Sequence, residues 1–343
     1  MRILALALLA ALTAGSARAQ NWADETSPAQ FAGEYAPSKA LCRKLDDREP
    51  PASDRPTAAQ SRALKGCSSE ALYYGQGMKP DYAKARMCAF IEADGADDQV
   101  FGGSTILMQL YANGLGVKRD LDVATAYACS IEGAPAERSG RVDHLAALKA
   151  HPSGKRFDYC DDITSGLAGG FCASRDAEKA KDGRTARTRA LTARIPPAAR
   201  SSFTRLQAAS DGFVSAHGDG EVDMSGTARA QMEIDEEEAV RDRFLAHVGA
   251  LLNGKWPPAT PAQAKAADDA LNAAYRKAQA HLGSKDSFTT VKPDGSKTAQ
   301  RAWLAYRDAF VKFATLASPG VGRDAATTLL TNERTAQLSE LAQ

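Results

Sequence analysis

The residues of this chain that could carry out catalysis are few and scattered. The five histidines form no His-Glu-x-x-His metal motif, and they are His144, His151, His217, His247 and His281. The sequence also has neither a Gly-x-Ser-x-Gly nucleophile turn nor a Gly-x-x-x-x-Gly-Lys phosphate loop. Asp161 and Asp162 are adjacent carboxylates beside Cys160, but neighbouring acids at a helix start usually complement the helix dipole. The sequence therefore predicts a protein that is not an enzyme and needs no cofactor.

One acidic segment has the spacing of a calcium loop. Between residues 217 and 226 the acids occupy alternate positions, which is how such loops supply oxygen ligands. Met224, however, stands where the loop needs glycine for its turn, and Ala230 stands where it needs a bidentate glutamate. We therefore predict no metal site here, and we expect Asp223 or Ser225 to cap the helix that follows.

Six cysteines indicate structural disulfides rather than a metal or redox site. They are Cys42, Cys67, Cys88, Cys129, Cys160 and Cys172. Their even number suits disulfide pairing, and no Cys-x-x-Cys pair of the zinc-ribbon or thioredoxin type is present. The sequence does not choose among the possible pairings. A bridge between Cys67 and Cys88 would join the two helices of the first repeat described below.

The first residues have the pattern of a cleavable export signal. Arg2 precedes an apolar run over residues 3–12, and Ala17-Arg18-Ala19 supplies the small residues that a signal peptidase accepts. We therefore predict cleavage between Ala19 and Gln20. The apolar run is about half of the roughly 20 residues that a spanning helix needs. The mature protein is expected in the periplasm or outside the cell, without a membrane anchor.

The charge balance argues against one large class of partner. The 43 lysines and arginines are matched by 42 aspartates and glutamates, so the formal net charge is +1. Binding to phosphate backbones needs a concentrated excess of basic residues, and we therefore expect no nucleic-acid partner. With 343 residues, the chain is long enough to form two domains.

Two segments of the first half resemble each other at an offset of 38 or 39 residues. Leu72-Tyr73-Tyr74-Gly75 corresponds to Leu110-Tyr111-Ala112-Asn113-Gly114, and Lys79-Pro80-Asp81 corresponds to Lys118-Arg119-Asp120. This period is typical of helical-repeat arrays, in which one helix ends at a glycine turn and the next begins after a capping aspartate. The second copy resembles a Sel-one-like repeat, a relative of the tetratricopeptide repeat. We predict a Cys-containing helical-repeat domain over residues 20–175.

Beyond residue 175 the composition changes, since cysteine disappears and Ala, Arg, Lys, Asp and Glu recur at helical spacing. We predict a second domain over residues 176–343. Its helices are expected at residues 176–193, 197–216, 225–252, 261–282, 297–317 and 322–341. Residues 288–291 are a short strand candidate. The predicted fold is all-α: a helical-hairpin repeat region stapled by disulfides, followed by an antiparallel helical domain.

The most specific pattern of residue types lies on two consecutive helices of this second domain. One carries Asp268, Leu271, Asn272 and Tyr275, the next carries Gln300, Arg301, Trp303, Tyr306, Arg307 and Asp308, and the last helix adds Arg334. These positions resemble the signature of the LprI-like lysozyme-inhibitor family over about residues 262–341. The resemblance implies that the first two helices pack on each other through Tyr275 and Trp303. It also implies that the module binds a lysozyme and blocks it.

The signature has a purely structural explanation as well. Trp303, Tyr306, Phe310 and Phe313 recur at three- and four-residue steps and therefore share one helix face, as core residues do. The polar signature residues could pair with each other across the two helices and fix their register. From the sequence, a structural role and a binding role are both open.

Two further segments are candidates for partner contact. Residues 233–238 form an acidic run that would attract a basic lysozyme, although Glu237 and Arg241 have the spacing of an ordinary surface ion pair. Residues 283–296 join the signature helices and could enter a cleft, although such loops are often tolerated surface insertions. We predict an exported protein-binding protein with a lysozyme as candidate partner. The alternative is an envelope adaptor that binds its partners through the helical repeats and inhibits no lysozyme.

Overall fold

The chain is built from helices joined by short loops. The computed structural model describes residues 21–95 and 100–343, so the predicted export segment at residues 1–19 lies outside the described residues. Within them the fold is all-α, as predicted, and contains no strand. The α-helices are α1 (Ala32–Lys44), α2 (Ala58–Ala63), α3 (Ser69–Tyr74), α4 (Tyr82–Ala93), α5 (Gly103–Asn113), α6 (Leu121–Ser130), α7 (Pro135–Ala150), α8 (Gly166–Arg194), α9 (Arg200–Glu221), α10 (Arg229–Leu252), α11 (Pro261–Leu282), α12 (Pro293–Ala317) and α13 (Arg323–Glu340).

The helices divide between two compact units. The first unit contains the described residues up to Ser69 together with Tyr82–Asp162. The second contains Glu70–Asp81 together with Ile163–Gln343. The family-like signature therefore belongs entirely to the second unit.

Disulfides cross-link the first unit, as the cysteine pattern predicts. Cys42 in α1 is bonded to Cys129 in α6, with a sequence separation of 87 residues. Cys67 is bonded to Cys88 in α4, with a separation of 21 residues. The two remaining cysteines are disulfide-bonded as well, and they are Cys160 and Cys172. Bonds between distant segments restrict the unfolded chain and so favour the folded state.

The two similar segments of the first half share a local geometry. The main-chain hydrogen bonds that close their turns run from Asp81 N to the Leu72 carbonyl (2.9 Å) and from Asp120 N to the Tyr111 carbonyl (3.0 Å). Both partners are thus displaced by the same 39 residues. Gly75 and Gly114 follow the first helix of each copy with φ of 74° and 65°, a conformation that glycine adopts without strain. The helix-turn-helix pattern is present in both copies, and the assignment to Sel-one-like repeats stays a prediction.

Helices of the second unit pack in a continuous series. α8 packs against α10, α10 contacts α9, α9 packs closely against α12, α12 contacts α13, and α13 packs against α11. Their apolar faces share one core, whose buried residues run from Ile195 to Leu338. The signature helices are therefore two members of a larger bundle.

The sequence predicts that α11 packs directly on α12. This prediction is wrong, because the main contacts of both helices are with other helices. α11 packs mainly against α13 and α12 mainly against α9, while α11 and α12 touch at only a few points. They are antiparallel neighbours along one polar edge, where Arg307 Nη1 donates a 3.0 Å hydrogen bond to Asp268 Oδ1. The reason is the wide apolar face of α12, since its four aromatic rings are all buried and one helix does not cover them.

The starts of several helices differ from the predicted ones: α10 begins four residues late, at Arg229, and α12 begins four residues early, at Pro293. α11 spans the predicted residues, but α8 begins at Gly166, ten residues early. Glycine is a poor helix former, yet here it allows close packing, since a Cβ on Gly166 would lie 2.2 Å from the Thr227 carbonyl carbon. α9 continues five residues beyond its predicted end to Glu221. The strand predicted at residues 288–291 is wrong, because these residues lie in the loop before α12.

Two facing glycines allow the close contact between α9 and α12. A Cβ added to Gly220 would lie 2.6 Å from the Gly295 carbonyl oxygen. A Cβ added to Gly295 would lie 2.8 Å from the Gly220 carbonyl oxygen. Both obstacles are main-chain atoms, so a side chain at either position would push the two helices apart. The glycines adjoin the buried residues Glu221 and Ser296.

We predict that Gly220→Ala lowers the free energy of unfolding of the second unit by roughly 1–3 kcal/mol, because the added methyl group overpacks the contact. Gly212→Ala is the matched control in the same helix, where an added Cβ meets nothing within 4 Å. There the better helix propensity of alanine should stabilise the unit by about 0.5–1 kcal/mol. Urea unfolding of both variants checks the opposite signs, and a stabilising Gly220→Ala would contradict the close contact.

Candidate partner-binding site

The signature residues separate into a buried set and an edge set. The buried residues are Leu271, Gln300, Trp303, Tyr306 and Arg334. The edge residues, which keep part or most of their surface exposed, are Asp268, Asn272, Tyr275, Arg301, Arg307 and Asp308. The first set is thus packed inside the unit, and only the second set is accessible at the surface.

The buried aromatic residues form the core of the second unit. Tyr306 stacks on Phe213 of α9 at 5.9 Å between ring centroids and meets Phe310 edge-on at 6.2 Å. Burial raises the pKa of Tyr306 well above its usual value, so its hydroxyl stays protonated. Trp303 is 2% exposed, and its ring lies beneath the Arg307 guanidinium at 5.2 Å. These rings build the scaffold and are not available to a partner.

The buried polar residues meet in an ion pair that joins three helices. Arg334 of α13 donates from Nη2 to Glu221 Oε1 at 2.6 Å and from Nη1 to Glu221 Oε2 at 2.8 Å. Both side chains are 0% exposed. From α12, Ser296 Oγ donates to Glu221 Oε1 at 3.0 Å, and Gln300 Oε1 accepts from Arg334 Nε at 2.9 Å. The bidentate geometry satisfies both charges in the absence of solvent.

His217 extends this network along α9. Its Nδ1 lies 2.9 Å from Glu221 Oε2, and its Nε2 lies 3.5 Å from Glu236 Oε2 of α10. Burial alone would lower the pKa of His217, but hydrogen bonds to the two carboxylates outweigh it and raise that pKa. Burial alone would raise the pKa of Glu221, but the hydrogen bond from His217 and the charge of Arg334 lower it. The network therefore links four helices, α9, α10, α12 and α13.

The acidic run is mostly occupied by contacts within the unit. Arg241 donates to Glu237 at 2.8 Å and to Glu238 at 2.9 Å. Arg184 of α8 also donates to Glu238, and Glu236 faces His217. These contacts favour the ordinary structural explanation of the run over a role in attracting a basic partner.

The polar edge of α11 and α12 is the exposed part of the signature. Arg307 bridges it, since it donates to Asp268 Oδ1 at 3.0 Å and from Nε to Asp308 Oδ1 at 3.2 Å. Asn272 and Arg301 are exposed and lie nearer the N-terminal end of α12. The edge therefore presents charges of both signs beside the buried core.

The loop between the signature helices carries an exposed aromatic residue. Phe288 is 94% exposed. Among the described residues, no other large apolar side chain has so high an exposed fraction. Thr290 anchors the loop to Asp223, whose Oδ1 accepts from Thr290 N at 3.1 Å and from Thr290 Oγ1 at 2.8 Å. The loop is thus fixed next to its tip.

Asp223 has a different role from the one predicted. Neither it nor Ser225 caps α10, which begins at Arg229 after Ala228. Asp223 instead accepts hydrogen bonds from Ser225 N at 2.9 Å and from Thr290, and these bonds lower its pKa to about 2. No group of three His, Cys, Asp or Glu side chains suited to a metal ion occurs in the described part of the chain.

Sequence reasoning missed the central residue, Glu221, because it belongs to no signature. A signal was nevertheless present. Phe203, Leu206, Phe213, His217 and Glu221 follow each other at helical spacing, so the two polar residues continue an apolar face. A charge on such a face is buried and needs an opposite charge on a neighbouring helix.

Comparison with protein families identifies one region. Residues 259–338 match the family described as Lysozyme inhibitor LprI. The match covers α11, α12 and nearly all of α13, and thus every signature residue. No curated protein and no solved structure matches the chain.

We predict that Arg334→Met destabilises the second unit by about 3–5 kcal/mol, because Glu221 would remain buried without its countercharge. Arg205→Met, at an exposed position of α9, is the control and should change stability by less than about 0.5 kcal/mol. The double variant Glu221→Gln/Arg334→Met should be more stable than Arg334→Met alone. Chemical unfolding measures all three, and a loss below about 1 kcal/mol for Arg334→Met would disprove the importance of the pair.

The network also predicts a pH dependence. The lowered pKa of Glu221 contributes stability that is present above its ordinary 4.5 and is lost as the pH falls through the folded value. The raised pKa of His217 contributes stability that is present below its ordinary 6.5 and is lost as the pH rises through the folded value. The network should therefore stabilise the second unit most between pH 4.5 and 6.5. Thermal unfolding measured across pH checks this. His217→Gln should abolish the alkaline decline and keep the acid one; an unchanged alkaline decline would contradict the assignment.

Proposed function

We propose that this protein is an exported, non-enzymatic protein whose second unit binds a lysozyme and inhibits it. The observation that carries the proposal is the family match over residues 259–338. It is supported by the division of the signature, since buried residues account for the scaffold and leave an exposed edge of Asp268, Asn272, Arg301 and Asp308 for a partner. Inhibition then requires tight binding near the sugar cleft and no chemistry.

Export is supported by two independent features. The pattern over residues 1–19 is that of a cleavable signal, and the disulfides need an oxidising compartment. The described residues include no helix that could cross a bilayer. We therefore propose that the mature chain begins at Gln20 and acts in the periplasm or outside the cell, where lysozymes reach their substrate.

The Cys-containing region over residues 20–175 is proposed to be a helical-repeat module of the Sel-one-like type. Its support is the repeated turn geometry at Asp81 and Asp120. Such modules bind proteins on extended surfaces. If lysozyme inhibition fails, this region would make the protein an envelope adaptor, and the two functions are separated by the following experiment.

Mature protein with intact disulfides should inhibit lysozyme hydrolysis of peptidoglycan at micromolar concentration, in a dose-dependent way. Asp308→Arg should weaken inhibition several-fold, because it puts a positive charge on the exposed edge that would face a basic lysozyme. The matched control is Asp211→Arg, an exposed aspartate of α9 outside the family match, which should inhibit like wild type. A wild-type protein that leaves both c-type and g-type lysozymes fully active would refute the proposal and favour the adaptor.

A further inference from the structure

We propose that the loop over residues 283–292, here called the Phe288 loop, inserts its aromatic tip into the carboxylate-lined sugar cleft of the lysozyme. This inference rests on the proposed function and adds to it the contact that blocks the enzyme. Three features of the loop carry it: an exposed aromatic side chain, an anchored backbone and flanking positive charge.

Phe288 contributes little to the fold. It is 94% exposed, whereas Leu282 and Val291 at the ends of the loop are 6% and 5% exposed. Single exposed apolar residues are common on protein surfaces, so exposure alone proves nothing. What distinguishes Phe288 is its position at the tip of a loop whose two ends are buried. A large aromatic ring held away from the body of a protein is typical of an interface anchor.

The backbone on the C-terminal side of Phe288 is fixed by hydrogen bonds. Thr290 donates both its N–H and its hydroxyl to Asp223 Oδ1, and Met224 N donates to Thr290 Oγ1 at 2.6 Å. Val291 N donates to Thr289 Oγ1 at 3.2 Å. These bonds begin one residue after Phe288. The loop is therefore largely ordered before it meets a partner, which lowers the entropy cost of binding.

The other end of the loop is held by α11. Gly283 N donates to the Gln279 carbonyl at 3.1 Å, and Ser284 N donates to the His281 carbonyl at 3.0 Å. Gln279 Nε2 also donates to the Pro293 carbonyl at 3.1 Å, which joins the two ends of the loop. The two ends of the loop are thus held together, and Phe288 projects away from them.

The charge of the loop suits an acidic cleft. Lys285 and Lys292 are exposed on either side of Phe288, and Asp286 leaves the segment with a net charge of +1. Lysozyme clefts hold a pair of carboxylates at the sugar-cleavage site. A ring flanked by ammonium groups complements such a cleft, in which an aromatic ring can replace a sugar ring and cations can face the carboxylates.

One loop is too small to form a stable complex, because specific interfaces usually bury about 1,200–2,000 Å² in total. The remaining contact would come from the polar edge of α11 and α12, the two helices that the loop joins. This arrangement combines a central aromatic anchor with a charged rim, the usual anatomy of protein interfaces.

The test uses the full mature chain with Phe288→Ala, and Phe171→Ala as the matched control. Phe171 is an exposed phenylalanine of α8 in the same unit, 44% exposed. Binding to a c-type and a g-type lysozyme is measured by calorimetry, with and without saturating chitotriose in the cleft. Phe288→Ala should raise Kd at least about tenfold at an unchanged melting temperature, as expected for loss of an anchor residue. Phe171→Ala should bind within about twofold of wild type.

A second variant separates the side chain from its positioning. Asp223→Ala keeps Phe288 but removes the acceptor that fixes Thr290, so Kd should rise by a smaller factor, about three- to tenfold. Phe288→Trp should retain binding, because it restores an aromatic tip.

The outcomes distinguish the two proposals. If wild type binds a lysozyme and Phe288→Ala binds equally well, the Phe288 loop is not the anchor, while the proposed function stands. If chitotriose does not compete with wild-type binding, the loop does not enter the cleft. If wild type binds neither lysozyme, the proposed function fails and the loop assignment fails with it.

Discussion

The second unit depends on the buried ion pair between Glu221 and Arg334. Two charges without solvent exposure are tolerated only in one geometry, in which every donor and acceptor is satisfied. That geometry requires α9, α12 and α13 to meet at one point, because Ser296 and Gln300 complete the shell around the pair. The facing glycines Gly220 and Gly295 supply the close approach that this meeting needs. A buried pair of this kind specifies the arrangement of helices more than it adds stability.

This constraint also sets the size of the folding unit. The family match covers residues 259–338, yet Arg334 and Gln300 within it bind Glu221, which lies outside it. The aromatic core shows the same dependence, since Tyr306 packs against Phe213 of α9. The recognisable signature is thus the C-terminal part of a larger bundle whose core begins at Ile195.

Much of this fold could be predicted from the sequence, and the failures have physical causes. The predicted bounds of α11 are confirmed, and in the structure Thr260 caps this helix while Pro261 occupies its first position. The start of α8 is not predicted, because glycine is a poor helix former and here the close packing at Gly166 outweighs that low propensity. The helices that pack against α11 and α12 are not predicted correctly, because periodicity identifies a buried helix face without identifying which element covers it. The sequence predicts Asp223 or Ser225 as a helix cap, because it does not reveal that a loop 67 residues away binds Asp223.

The separation between scaffold and surface explains how one signature could serve two purposes. Its buried residues hold the bundle together, while its edge and the Phe288 loop are exposed to solvent. The central claim, that α9 with Glu221 is an integral part of the domain, is tested most directly by comparing two fragments by two-dimensional NMR. Residues 195–343 should give a dispersed amide spectrum and unfold cooperatively, whereas residues 259–343 should give the narrow spectrum of an unfolded or molten chain. A dispersed spectrum and cooperative unfolding for residues 259–343 alone would contradict the account.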